Sequence, residues 1–257
     1  MKRKITLFYS FIGILVFIVG CKKGNTDTPT EPVYLPYSIK TYSNGTFSDS
    51  STYKYDASNR IIEIITLSGT DKKYNYDSNG NLTELDTYTN GTLSSKSVYA
   101  NGANSITDTY SLYNNGSVFH VSTANISLDG NQRITKVDNG SNNYFLYTYD
   151  SMGNTATCAQ YETSVTTGPY YFYTNTFDSN KSPFLNVKGI YNLSTDFNLG
   201  NNNCVKEVIN SVNSPNAPYT FNFTYIYNAA GYPTSSTETS TGITSSPLTN
   251  VYTYIIK

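Results

Sequence analysis

The stretch Tyr74 to Leu85, YNYDSNGNLTEL, reads as strand, tight turn, strand, and close cousins of it recur along the chain. A unit this short cannot bury its own apolar face, so a chain made of such units must fold by laying each against the next. Aligned on the position of Asp77, eight units open their turns at Asp56, Asp77, Asn101, Asp129, Asp150, Asp178, Gly200 and Asn228, spaced 21 to 28 residues apart. The preceding residues are Tyr55, Tyr76, Ala100, Leu128, Tyr149, Phe177, Leu199 and Tyr227, nearly all large and apolar or aromatic. Five residues after each anchor stand Ile61, Leu82, Ile106, Ile134, Thr155, Pro183, Val205 and Pro233. Asp or Asn at the first position accepts hydrogen bonds from amides further round the turn, and Gly or Asn tolerates the positive φ that follows.

Looser turns alternate with these: Asn44-Gly45, Ser68-Gly69, Asn90-Gly91, Asn115-Gly116, Asn139-Gly140, Thr167-Gly168, Lys188-Gly189, the Ser214-Pro215 region and Thr241-Gly242. Consecutive strands joined by tight turns run antiparallel and side by side, so the chain is expected to be an all-β antiparallel meander of about 18 short strands. Phe221, Phe223, Tyr225 and Tyr227 share one face, with Thr220, Asn222 and Thr224 opposite, so one face is greasy and the other wet. Twist of roughly 20 to 25 degrees per strand forbids a flat sheet of that width. The sheet is therefore expected to curl into a barrel-like or shell-like form.

Composition agrees. Aromatic residues are 15% of the chain, including 26 Tyr, and charged residues only 14%, a mix that suits strands and excludes a disordered chain. A net charge of -1 without a basic run in the body excludes nucleic acid as a partner.

The N-terminus carries an address. Lys2, Arg3 and Lys4 precede an apolar run from Ile5 to Val19, too short to span a bilayer permanently, and Gly20 precedes Cys21. Residues 1–20 are expected to be an export signal, and Ile18-Val19-Gly20-Cys21 resembles the bacterial lipobox, which implies a lipidated Cys21. With Lys22 next, that pattern favours the outer membrane, on its periplasmic or its cell-surface face. Residues 21–36, with Pro29, Pro32 and Pro36 among small polar residues, read as a flexible tether, and residues 37–257 as one domain.

The stretches YKYDASNRIIEI, YNYDSNGNLTEL and YTYDSMGNTATC resemble the YD (Rhs-type) repeat, with aliphatic residues three apart at Ile61 and Ile64 and at Leu82 and Leu85. Combined with the lipobox, the chain is similar to Gram-negative surface lipoproteins of unknown function with YD-like hairpins and a porin-like meander. The resemblance covers residues 40–256, and that family defines no catalytic residues to transfer.

Chemistry-bearing patterns are sparse. Stacked across strands, Tyr53, Tyr74, Tyr147 and Tyr225 would form a tyrosine ladder, either as cross-strand packing or as a ligand-stacking platform. Glu63, Glu84, Asp108 and Glu207 share the position seven after the anchor, which in a regular sheet would row up carboxylates for glycoside hydrolysis. His120 is the only histidine, which leaves neither a zinc set nor a marked triad. Asp77, Asn79 and Asn81 faintly resemble a calcium loop, but Tyr88 stands where the bidentate Glu belongs. Cys158 and Cys204 could pair in an oxidising compartment, though four strands would separate them, about 19 Å in a flat sheet against the roughly 7 Å a disulfide allows. The expected function is a lipid-anchored, non-enzymatic envelope module with no cofactor or metal, binding a glycan or an envelope protein or serving structurally. A polysaccharide hydrolase is the alternative.

Overall fold

The computed structural model describes residues 31–165, 168–189, 200–242 and 245–257, with residues 214–216 described by backbone alone. The export signal, Cys21 and most of the tether lie outside these residues. Among the described residues sixteen strands follow one another: β1 Tyr34–Ser43, β2 Thr46–Tyr55, β3 Ile61–Thr66, β4 Thr70–Tyr76, β5 Leu82–Thr89, β6 Thr92–Asn101, β7 Ser105–Asn114 and β8 Ser117–Leu128. The second half comprises β9 Ile134–Asp138, β10 Tyr144–Tyr149, β11 Thr155–Tyr161, β12 Tyr171–Lys181, β13 Asn202–Ser211, β14 Ser214–Tyr227, β15 Pro233–Thr241 and β16 Leu248–Ile256. Each strand pairs antiparallel with its chain neighbours, and β1 pairs with β16, so the meander closes into a barrel.

The two turn classes occupy opposite ends. At one end, Asp56 Oδ1 accepts the amides of Ser58 and Arg60, and Asp77, Asp129, Asp150 and Asn228 repeat that geometry on residues two and four further on. At the other end, Asn44, Asn90 and Asn115 hold φ near 50° and the glycines after them 77°, the paired positive angles of a two-residue hairpin turn.

Each Asp turn is followed by a bulge. Lys54 faces Glu63 and Tyr55 faces Ile61, so one residue of β3 is extra, and β5, β9, β11 and β15 show the same slip. The slip puts residues three apart on one face, which is why Ile61 and Ile64 both face the core. Beyond the bulge, neighbouring hairpins splay and a tyrosine hydroxyl takes over from the ladder. The β3–β4 ladder stops at Glu63 and Lys73, and Tyr76 donates to the Ile61 carbonyl at 2.8 Å. Tyr149 donates likewise to Ile134, and Tyr254 to Pro233, both at 2.7 Å. The tyrosine before the turn is therefore a tie between hairpins, which phenylalanine could not supply. Tyr76→Phe is expected to lower stability by about 1 kcal/mol through the orphaned carbonyl, read as a lower urea midpoint at unchanged slope.

Among the described residues the meander has sixteen strands rather than about 18, with β12 pairing directly with β13. Asp178 lies within β12 rather than opening a hairpin, and the chain from Ser182 to Gly189 forms turns. Residues 190–199 lie outside the described residues. From β12 this segment crosses the barrel mouth at the Asp-turn end: the Lys188 amide donates to the Asn59 carbonyl, and Lys188 bridges Arg60, next to β3 on the far side. Val187 is buried against Leu35, Tyr53 and Ile61, and Phe184 meets Tyr53 edge-on at 5.6 Å. A chord across the mouth can touch only the inner wall, so the Tyr53 and Ile61 face looks to the axis. The Ser214-Pro215 turn is also displaced, since Ser211 faces Ser214 and the turn is Val212-Asn213. The strand β1 begins inside the stretch read as tether, where Tyr34, Leu35 and Pro36 pair with Ile256, Ile255 and Tyr254.

Candidate functional site

Register assigns every strand residue to a face. Continuing from Tyr53 around the ring, the inner face carries Tyr74, Leu85, Tyr99, Ile126, Val137, Tyr147, Cys158, Tyr173, Tyr219, Phe221 and Tyr225 in cross-strand succession. The outer face carries ion pairs and hydroxyl pairs, with Val98, Leu146, Phe172 and Ile226 exposed among them. Lys54 pairs with Glu63 at 2.6 Å, Lys96 with Glu84 at 2.9 Å and Asp86 at 3.2 Å, and threonine hydroxyls meet across strands at Thr148–Thr157 and Thr237–Thr249.

The richest stretch of the inner wall is the arc from β10 to β14. One row runs Tyr147, Cys158, Tyr173, Ile209, Tyr219, and the next towards the Asn-Gly end runs Phe145, Gln160, Tyr171, Ser211. On the other side of the first row, Asn175, Glu207 and Phe221 stand in line, with Asn175 and Glu207 buried. Asn175 donates to the Thr155 carbonyl at 3.0 Å. Tyr171 and Tyr173 lie 6.2 Å apart and Phe145 and Tyr147 6.5 Å apart between ring centres, so the arc presents aromatic surface around a polar centre. Sequence periodicity pointed to single tyrosines; the arc emerges only when register sets Tyr171, Tyr173 and Tyr219 beside them.

The four tyrosines singled out by sequence all face inward, in three separate groups rather than one row. Tyr53 and Tyr74 share β2 to β4, Tyr147 lies in the arc, and Tyr225 stacks on Tyr227 at 5.9 Å with its hydroxyl donating to the Cys204 carbonyl. Tyr53 and Tyr147 are 9% and 8% exposed, while Tyr74 and Tyr225 are half-buried.

The carboxylates do not form a row. Glu63 and Glu84 lie outside in their lysine pairs, whereas Asp108 and Glu207 lie inside on strands six apart in the ring. The cause is the bulge. It inverts facing after Asp56 and Asp77, but the β6–β7 ladder runs without a slip to Asn101 and Ile106, and in β13 the slip falls at Cys204. Burial raises the Asp108 carboxyl above its ordinary range, and does the same to Glu238, an inward residue of β15 that sequence reasoning missed.

Cys158 and Cys204 are free and buried. They lie on β11 and β13, two strands apart rather than four, because Ser182–Gly189 adds no strands. Their β12 partners, Tyr173 and Phe177, are four residues apart, which with two strand spacings sets the cysteines at roughly 16 Å. Burial raises both thiols to about 12. His120 is exposed on β8, opposite Leu112. Asp77 spends its carboxylate on the Asn79 and Asn81 amides and the Asn81 side chain, and the described residues contain no cluster of three metal-ligating side chains.

Burial also holds Tyr76, Tyr99, Tyr149 and Tyr173 up at about 12. Their folded values exceed the unfolded value near 10, so the stability they confer is complete below about pH 10 and is lost as pH rises towards 12. The urea midpoint is expected to fall steeply over that window. Tyrosinate absorbance should lag behind that of the unfolded chain; a native titration coincident with free tyrosine would refute the buried ladder.

No family model matches the chain, and no curated protein matches it. Among solved structures it is similar to a porin-like protein from Bacteroides vulgatus, at TM-score 0.44 and 9% identity, covering 87% of this chain and 99% of that one. A porin-like protein from Bacteroides uniformis follows at TM-score 0.37 and 13% identity, covering 86% and 96%. A Photorhabdus luminescens Tc holotoxin pore gives TM-score 0.23 and 12% identity over 80% of this chain and 10% of that one. Likenesses this distant say nothing about what the barrel binds.

Proposed function

We propose that this chain is a non-enzymatic envelope protein, held to a membrane by an acylated Cys21, whose barrel binds glycan on the inner aromatic arc of β10 to β14. The facing of the wall supports this most directly. Its lysine–carboxylate pairs and threonine pairs lie on the outer face and most of its strand tyrosines on the inner one, the reverse of a lipid-embedded barrel, in which an outward Lys at mid-depth costs roughly 2 to 4 kcal/mol. A body with such a wall stands in water and needs a separate anchor. Several acyl chains on Cys21 supply one. The chain enters the barrel at the Asp-turn end, where the Val33 amide donates to the Lys257 carbonyl, and Val187 and Phe184 cross that mouth. The Asn-Gly end, which that segment does not cross, is where a ligand would enter. Sugar rings stack on aromatic faces while buried polar groups fix their orientation, and Tyr171, Tyr173, Asn175 and Glu207 offer both. Tyr74 and Tyr225 extend the same inner surface. The Asp-turn hairpins fit the YD-like repeat, whose hairpins likewise build a wall.

The test is a glycan array probed with the detergent-purified full chain beside Tyr171→Ala and Thr224→Ala variants. Binding that disappears with Tyr171→Ala and survives Thr224→Ala, on the outer wall, supports the arc. An unresponsive wild type, or a Tyr171→Ala variant that binds equally, overturns it.

A further inference from the structure

The strand β8 is longer than the wall beside it. It pairs with β7 along its whole length, but β9 meets it only from Asn125 to Leu128. Ser117 to Ala124 therefore present a free edge at the Asn-Gly end, with no described residue paired on the β9 side. Edges of this kind template pairing with another strand, and monomeric proteins blunt them with lysine, proline, a bulge or an inward charge. The sequence SVFHVSTA has no lysine, proline or charge, its one interruption being a bulge at Phe119, where the register slips from Leu112–His120 to Tyr113–Val118, and it exposes Val118, Phe119 and Val121 at 48%, 64% and 54%. The short free edge at β2 is managed differently, since Asp49 Oδ1 accepts the amides of Ser50 and Ser68.

We infer that the Ser117–Ala124 edge docks the same edge of a second copy of this chain, antiparallel across a two-fold axis at Val121. The edge is complementary to itself. Past the bulge, an axis normal to the sheet keeps inner residues with inner and outer with outer, so Val121 meets Val121 and His120 meets Ser122. With no Asp, Glu, Lys or Arg in the segment, no like charges oppose each other across the join. Beyond Ala124 the ladder to β9 begins, which limits the pairing to this segment and fixes its register. Two strands of this length bury less than the roughly 800 Å² per partner of a stable complex, so the dimer forms at high local concentration rather than on dilution.

Sedimentation of the detergent-purified full chain over a concentration series reads this directly. Wild type should pass from monomer to dimer, Val121→Lys should weaken dimerisation at least about tenfold by placing a charge in the edge, and Thr224→Lys on the far wall should not. In the Val121→Cys variant, mild copper–phenanthroline oxidation should join two copies, the two thiols giving up two protons and two electrons to the oxidant. It should do so faster than in Val98→Cys, an exposed position away from the edge. A wild type that stays monomeric at its solubility limit overturns the inference. So does a Val121→Lys variant that dimerises normally, equal cross-linking at Val98, or capture of foreign extended peptides in place of self-association.

Discussion

Asn154→Ala is expected to destabilise the barrel by about 3 kcal/mol or more, with the mouth-crossing segment loosening before the wall. Asn154 is 1% exposed and joins two regions distant in sequence. Its side-chain amide donates to Asp150 Oδ2 at 2.8 Å and Asn202 Oδ1 at 3.1 Å, and its carbonyl oxygen accepts the Asn202 amide at 2.9 Å. Alanine would strand an amide and an amide oxygen at Asn202, and each orphaned buried group costs about 1 to 3 kcal/mol. Gly200 closes the site, since a Cβ there would lie 2.4 Å from Asn154 Oδ1. Denaturant unfolding measures the total. Hydrogen exchange at Ser182 and Val187, whose amides bond to Asn201 and Phe184, measures the order of events. A loss under about 1 kcal/mol would show that the Asn154–Asn202 pair is dispensable.

Leu35→Ala should cost about 3 to 4 kcal/mol. Leu35 is fully buried among Tyr53, Ile61 and Val187, so the variant loses transfer energy and leaves a void that rigid neighbours cannot fill. It lies at the closing seam, opposite Ile255, and beneath the crossing segment. Protection should therefore fall together in β1, β16 and residues 184–187, while β6 and β7 keep theirs. A uniform loss across all strands would mean that seam and crossing segment are not a local unit.

The legibility of this fold in its sequence divides at the turns. Asp56, Asp77, Asp129, Asp150 and Asn228 announce their hairpins because the turn chemistry is local: one side chain, two amides, four residues. The same logic misread Asp178, whose Oδ1 accepts the Asn180 amide as a turn would but also the Asn203 amide from β13. That second bond joins residues 25 apart, and no local motif signals it. Facing was misjudged for a related reason. Counting seven from each anchor aligned Glu63 with Asp108, yet a single extra residue at a bulge sends one outward and leaves the other inside. The aliphatic spacing of three at Ile61 and Ile64 was the visible trace of that bulge. The aromatic arc was hidden because it combines Tyr147, Tyr173 and Tyr219, brought level only by the registers of four successive strand pairs.

The pairing of Tyr34 with Ile256 makes the first strand of the ring wait for the last. Every other ladder joins chain neighbours and can zip as soon as its hairpin exists, but this one needs a loop of more than two hundred residues to close. Each hairpin can therefore form as soon as both its strands are present, while the growing sheet carries two raw margins until β16 arrives. The slow step is the last one, and substitutions in β1 or β16 should govern how long the open ribbon lasts, and so how much of it is lost to clumping before the circle is complete.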